Sequence, residues 1–267
     1  MSEQLASEFA PVFVISNRES YGPENASDFV RSSRFRHFRR IIPDQGWNKQ
    51  RREWITTDSH DPEYYDVPIS VISSFGAWED GRNRRPLDAN SGNSLNVFLQ
   101  PDPATRRSGV RDPNGRVECY YRLIDRCPSP EISLVVQYWI FHGFSDGLSG
   151  LNHQGDWEGI AVAFDRSLKP SFVSYVAHGH PERVPWSNVS TQRGRPISFI
   201  EEGTHANLPH PQGAHTGGNE WDTTLTLVRL ADQSWHSFAG AWGEVGKIAG
   251  TTGPLGPWFK NRFDRDY

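Results

Sequence analysis

The chain has 267 residues, a formal net charge of −4 and a hydrophobic fraction of 36%. A net negative charge gives no general attraction to nucleic acid, and no segment reaches the roughly 18 apolar residues of a membrane-crossing helix. The length suits one large all-β domain or two small ones, and ten Trp, eight Tyr and fifteen Phe partly make up for the low hydrophobic fraction.

The first sixteen residues, MSEQLASEFAPVFVIS, lack a basic segment followed by a long apolar stretch. The expectation is a cytoplasmic protein, or one exported without a Sec-type signal peptide. Residues 11–16 are apolar and β-branched and read as a first strand. The best helical candidate is 26–40. It overlaps a basic run from Arg31 to Arg52, which reads either as a solvated amphipathic helix or loop or as a surface for anionic head groups. Residues 68–75 form a second strand-like run. The stretch 79–115 is poor in apolar residues and rich in Arg, Asn, Asp, Gly and Pro, and predicts a long surface insertion.

Strand-like runs then follow at 118–124, 132–141, 158–164, 172–177, 197–201 and 225–230. The run ISLVVQYWIF is the most apolar and predicts a central strand. Cys119 and Cys127 are close enough for a hairpin to join them as a disulfide. Short strands punctuated by 24 Gly and 19 Pro, with no α/β alternation, predict a single all-β domain over 1–267. Its expected architecture is an antiparallel β-sandwich with long loops and few short helices.

The chemistry concentrates between the central strand and the next. FSDGLSGLNHQGDWE carries Asp146, His153, Asp156 and Glu158. A period of two places Asp156 and Glu158 on one face of a strand starting near Asp156, with His153 just upstream and Asp146 at the far side of the loop. Trp157 then points the other way, into the core, and Trp139 is a second inward anchor. Converging carboxylates repel one another, and a divalent cation or a proton relieves that repulsion. Carboxylate oxygens with one His suit Mg²⁺ or Ca²⁺, with Mn²⁺ and Zn²⁺ as alternatives. The competing reading is a polar hairpin with solvated acids and a hydrogen-bonded histidine. His178, in the run HGH, and His205, in EEGTHANLP, fall in loops after strands and are the candidate acid–base residues. No nucleophile elbow, phosphate-binding loop, dinucleotide fingerprint or H-E-x-x-H is present.

These residues carry a resemblance. YWIFHGFSDGLSGLNHQGDWEGIAVAF resembles the signature of the vacuolar protein sorting-associated protein 62 family, with its Asn-His-x-Gly-Asp-Trp-Glu core. APVFVISNRESYGP, FVSYVAHGH, ISFIEEGTHANLP, FAGAWGEVG and GPLGPW resemble that family's further elements in the same order. The core is also similar to the Gly-His-Arg-His-Asp-Trp-Glu heptapeptide of necrosis- and ethylene-inducing peptide-like cytolysins. There the motif's first His, its Asp and its Glu, with an upstream Asp, surround a divalent cation in a β-sandwich. The resemblance implies those roles for His153, Asp156, Glu158 and Asp146. Asn152, Gln154 and Gly155 depart from the heptapeptide.

Three functions follow as expectations. In the first, a cation-bearing module recognises a small polar ligand such as a lipid head group or sugar. In the second, a metal-dependent enzyme of hydrolase or lyase/cyclase type uses His205 or His178 as acid–base group. In the third, the metal is purely structural. No nucleic-acid partner is expected, and oligomeric state is open.

Overall fold

The structure is a computed structural model that describes residues 2–38, 46–48, 53–55, 64–67, 69, 72, 97–101, 108–125, 129–147, 151–177, 180–211, 218–238, 240–243 and 253–258. In chain order its strands are β1 (Val12–Ser16), β2 (Ser33–Phe38), β3 (Gly46–Asn48), β4 (Glu53–Ile55), β5 (Tyr64–Val67), β6 (Val97–Pro101), β7 (Cys119–Ile124) and β8 (Ile132–Ser145). They continue as β9 (His153–Asp165), β10 (Pro170–Ala177), β11 (His180–Pro185), β12 (Thr191–Gln192), β13 (Arg195–Ile200), β14 (Asn207–Leu208), β15 (Gly218–Asp222) and β16 (Leu227–Arg229). Two short α-helices, α1 (Ser2–Glu8) and α2 (Ala26–Ser32), precede β1 and β2. Among the described residues no helix is long and apolar enough to cross a membrane.

The expected all-β, sandwich-like fold is what forms. A six-stranded sheet runs β11-β10-β9-β8-β7-β16, and a five-stranded sheet runs β12-β13-β1-β15 with β14 paired to β13. Smaller sheets are β5-β2-β6 and β3-β4. Most neighbours are antiparallel, but β1 pairs with β13 and β16 with β7 in parallel.

The predicted central strand is central. All but one residue of β8 is buried, because both of its faces are covered. One face of β8 and β9 presents Leu134, Val136, Tyr138, Ile140, Ile160, Val162 and Phe164 to Phe13, Ile15, Ile200 and Trp221 of the five-stranded sheet. The other face presents Val135, Trp139, Phe141, Trp157, Ala161 and Ala163 to α2, Phe35, Leu99 and the aromatics Trp235, Phe238 and Trp242. Trp139 and Trp157 are the inward anchors expected of them.

The helix predicted over 26–40 stops at Ser32. The hydroxyls of Ser32 and Ser33 both donate to the Phe29 carbonyl, at 3.1 and 2.7 Å, and Ser33 is extended (φ −96°, ψ 150°). Residues from Ser33 on then pair with β5 and β6, so tertiary pairing ends the helix. Part of the basic run is therefore strand; residues 39–45 and 49–52 lie outside the described residues. The surface insertion expected over 79–115 contains β6, whose Phe98 and Leu99 are fully buried. Residues 79–96 lie outside the described residues. Residues 108–110 line the turn after β1: Gly22 donates to Ser108 O at 2.8 Å, and Val110 to Pro23 O at 2.9 Å. Cys119 is a buried free thiol, and Cys127 lies outside the described residues.

Candidate functional site

The chemistry gathers where the core between the two main sheets ends. On β8 the inward series Leu134, Val136, Tyr138 and Ile140 is continued by His142, and on β9 the series Phe164, Val162 and Ile160 is continued by Glu158 and Asp156. His142 and Asp156 are directly opposite one another in the β8–β9 register. The predicted shared face for Asp156 and Glu158 is thus formed, with Trp157 on the reverse.

Two further segments close over this end. After β1, the chain turns at Glu19, whose Oε1 accepts from the Tyr21 N–H at 2.7 Å. Its Oε2 accepts from the Gly203 N–H at 2.8 Å. After β13, residues 201–206 fold into a tight loop in which His205 donates to Glu201 O at 3.0 Å and Glu201 to Ala206 O at 2.9 Å. Two residues in it are left-handed: Gly203 at φ +79° and His205 at φ +59°. A Cβ on Gly203 would approach Asp146 O to 2.9 Å, and the Asp146 N–H donates to Gly203 O at 2.8 Å. The hairpin end and the loop are therefore stitched together.

His205 lies at the centre. Its Nδ1 is 3.0 Å from Asp156 Oδ2 and its Nε2 is 3.7 Å from Glu19 Oε1, and all three side chains are buried. Its ring stacks on that of His142, with centroids 3.7 Å apart and planes 9° from parallel. His142 Nδ1 donates to Tyr21 O at 2.9 Å. Burial alone would depress the His205 pKa, but the hydrogen bond to Asp156 and the nearby Glu19 carboxylate outweigh it and hold the group up to about 9. Burial would raise Glu19, yet His205 and the N–H groups of Gly203 and Tyr21 hold it down to about 2. His142 is pushed down to about 3 by burial and by the charge on His205. At neutral pH these shifts leave a neutral His142 imidazole stacked on a His205 imidazolium, with Glu19 ionised beside it.

The residues expected to hold a cation are placed as follows. Asp156 is buried and engaged with His205. Glu158 is half-buried, two residues further on the same face. Asp146 is exposed just past β8. β9 starts at His153 rather than near Asp156, so the two residues, three apart in one strand, belong to opposite faces. His153 Nδ1 donates to the Gly155 carbonyl at 2.8 Å. The donor types suit a hard divalent cation, and among the described residues no group of three or more His, Cys, Asp or Glu is arranged so that it could hold one.

Of the two candidate acid–base residues, His205 is at the heart of the cluster and His178 lies outside the described residues. Glu19 and His142 were not singled out from the sequence. His142 had a visible signal: it directly follows the most apolar run of the chain, inside the same strand. Glu19 had none beyond its place in the turn NRESYGP.

No family model matches the chain, and no curated protein matches it. The chain is similar to solved structures. One is a crystal structure of Necrosis and Ethylene inducing Protein 2 from the causal agent of cocoa's Witches Broom disease, at 13% identity over 85% of this chain and 90% of that one, with a TM-score of 0.33. A second, "Toxin fold as basis for microbial attack and plant defense", has 13% identity over 99% and 91% of the two chains and a TM-score of 0.45. A third, "NLPPya in complex with mannosamine", has 17% identity over 62% and 75%, with a TM-score of 0.33. At these values, what the site does is argued from its own geometry.

Proposed function

We infer that this protein recognises a small polar ligand, such as a sugar or a lipid head group, at the end of the sandwich where β1, β8, β9 and β13 open. The observation that supports this reading is the polar termination of an otherwise apolar core: His142 on β8, Asp156 on β9, Glu19 after β1 and His205 after β13 are all buried where the apolar series end. Burying such groups costs stability that apolar residues would not, and a non-glycine residue held at positive φ adds strain. Clusters of that kind concentrate at binding and active sites. Around the buried cluster, Asp146 and Glu202 are exposed and Glu201 is half-buried, which supplies acceptors for hydroxyl and amino groups.

Binding fits better than catalysis by His205. Its ring is fully buried and both of its nitrogens face carboxylates, so it orders the site and does not reach what the site holds. The divalent cation implied by the motif is left to the test, which runs with and without it.

Calorimetric titration with neutral sugars, amino sugars, inositol phosphates and phosphocholine tests the proposal, each with and without Mg²⁺ or Ca²⁺. At least one class should bind, and Asp146→Ala or Glu202→Ala should weaken it by about tenfold, near 1.4 kcal/mol. Both residues are exposed, so the fold should survive. No binding by any class, or binding that both variants leave unchanged, overturns the reading.

A further inference from the structure

A side chain closes the outer edge of β15. That strand ends the five-stranded sheet, with β1 on its inner side. An edge strand leaves a row of backbone N–H and C=O groups with no strand to pair with. Here Asn114 takes two of them: its Nδ2 donates to Glu220 O at 2.7 Å, and its Oδ1 accepts from the Asp222 N–H at 2.8 Å. One carboxamide thus bonds the carbonyl before Trp221 and the amide after it, as the backbone of a parallel neighbour would. Asn219 Nδ2 adds a third bond from β15, to Arg111 O at 3.3 Å. Beneath this clasp Trp221 is fully buried against Phe13 of β1.

The residue after Asn114 makes the clasp chemically perishable. Asn114–Gly115 is the one Asn-Gly pair in the chain. Glycine has no side chain to shield its backbone nitrogen, and a Cβ at Gly115 would meet nothing within 4 Å. Residues 114–116 are exposed, in a turn closed by the Arg116 N–H donating to Pro113 O at 2.9 Å. Freeing the carboxamide therefore breaks surface hydrogen bonds only. The Gly115 nitrogen then attacks Asn114 Cγ. The new N–C bond closes a five-membered succinimide, the Cγ–Nδ2 bond breaks, and the Gly115 proton leaves with the amide nitrogen as ammonia. Water opens the ring at either carbonyl and gives aspartate or isoaspartate.

The product does not hold β15 as the amide does. A carboxylate carries no N–H, so its second oxygen faces Glu220 O where Nδ2 had donated. Asp112 Oδ1, which accepts from Nδ2 at 3.3 Å, becomes a like charge beside it.

We propose that Asn114–Gly115 is a spontaneous modification site, at which deamidation releases the outer edge of β15. The site sits beside Asp222, which pairs with Val12, at the end of β1 away from Glu19. It draws on no ligand and is independent of what the His205 cluster binds.

Ageing the folded full chain in mildly alkaline buffer, followed by peptide mapping with mass detection, tests the chemistry. The peptide that holds Asn114 should convert from amide to acid and separate into an aspartate and an isoaspartate form. Hydrogen exchange reads the consequence. In the aged protein, and in Asn114→Asp made directly, the Asp222 amide should exchange about tenfold faster, the effect of losing one hydrogen bond from the clasp. Asn114→Ala removes the clasp without adding a charge and should speed the same amide. Asn114 is exposed, so both variants should fold. An Asn114 that stays an amide in the folded protein while the urea-unfolded chain converts overturns the proposal, because the clasp would then protect the pair. So does an absence of conversion in both, or an Asp222 amide that exchanges at the parent's rate in both variants, since the edge of β15 would then not depend on Asn114.

Discussion

His142 stacks on His205 at a centroid distance of 3.7 Å with the ring planes 9° from parallel, and the two rings titrate in opposite directions. His205 is held up to about 9 against an ordinary 6.5, while His142 is pushed down to about 3. The raised group contributes stability that is complete below pH 6.5 and is lost as pH rises through 9. The depressed histidine must stay neutral, so its share is complete above pH 6.5 and is lost as pH falls toward 3. Glu19, held to about 2 against 4.5, contributes fully above pH 4.5 and gives way only as pH falls through 2. Folding stability should therefore peak near pH 6.5 and decline on both sides. Denaturant unfolding across that range, in the parent and in His205→Gln, checks it. The alkaline decline should shrink in the variant, and an identical slope in both would show that another group causes it.

Asp156→Asn separates charge from shape at the same contact. The amide fits the carboxylate's space but leaves the imidazolium with Glu19 alone, at 3.7 Å. Breaking one side of a buried ion pair costs about 3–5 kcal/mol. The His205 pKa should drop, since hydrogen bonding to Asp156 is the foremost influence raising it. Imidazole titration by NMR reads the second effect and denaturation the first. A His205 titration unmoved by the substitution would mean that Asp156 does not set its charge.

Trp157 lies on the reverse face of the same strand, and its burial links the site to the core. It is fully buried, with Tyr120, Phe141, Trp235 and Trp242 packed around it at ring distances of 4.8–5.5 Å. Trp157→Ala leaves a cavity that these rigid rings cannot collapse into, and should cost about 3–5 kcal/mol. An unchanged denaturation midpoint would contradict the packing described.

Much of this was legible in the sequence where one physical signal dominated. The run ISLVVQYWIF reads as a strand covered on both sides, and alternation from Asp156 onward places the acids on one face and Trp157 on the other. The helix boundary at Ser32 was not legible, because pairing with β5 and β6 decides it. β6 was hidden in a polar stretch, with Phe98 and Leu99 as its fully buried residues among those described. The site was half legible. Asp156 and His205 were named, but their pairing spans 49 positions, and neither spacing nor periodicity reports a contact between loops of different sheets. Glu19 joins from still further away and has no local pattern of its own. β9 begins at His153, three residues earlier than the alternation suggested.

Gly155 offers the last test, and a matched control makes it clean. It sits inside the metal-like motif, in the sequence HQGDWE, between His153 and Asp156. Its φ is +67°, and a Cβ built there would come within 1.8 Å of the Trp242 carbonyl oxygen. Gly115 has the same φ of +67°, but a Cβ there would meet nothing within 4 Å. Alanine at either position incurs the left-handed strain, about 1–2 kcal/mol. Only at Gly155 must β9 also move away from the C-terminal segment that carries Trp242. Gly115→Ala should therefore lower stability modestly, and Gly155→Ala by clearly more. The excess measures the close approach of β9 to Trp242 and should appear together with altered fluorescence from the Trp157–Trp242 cluster. Equal losses in the two variants would show that backbone strain alone selects glycine, and that the approach to Trp242 is not what fixes the start of β9.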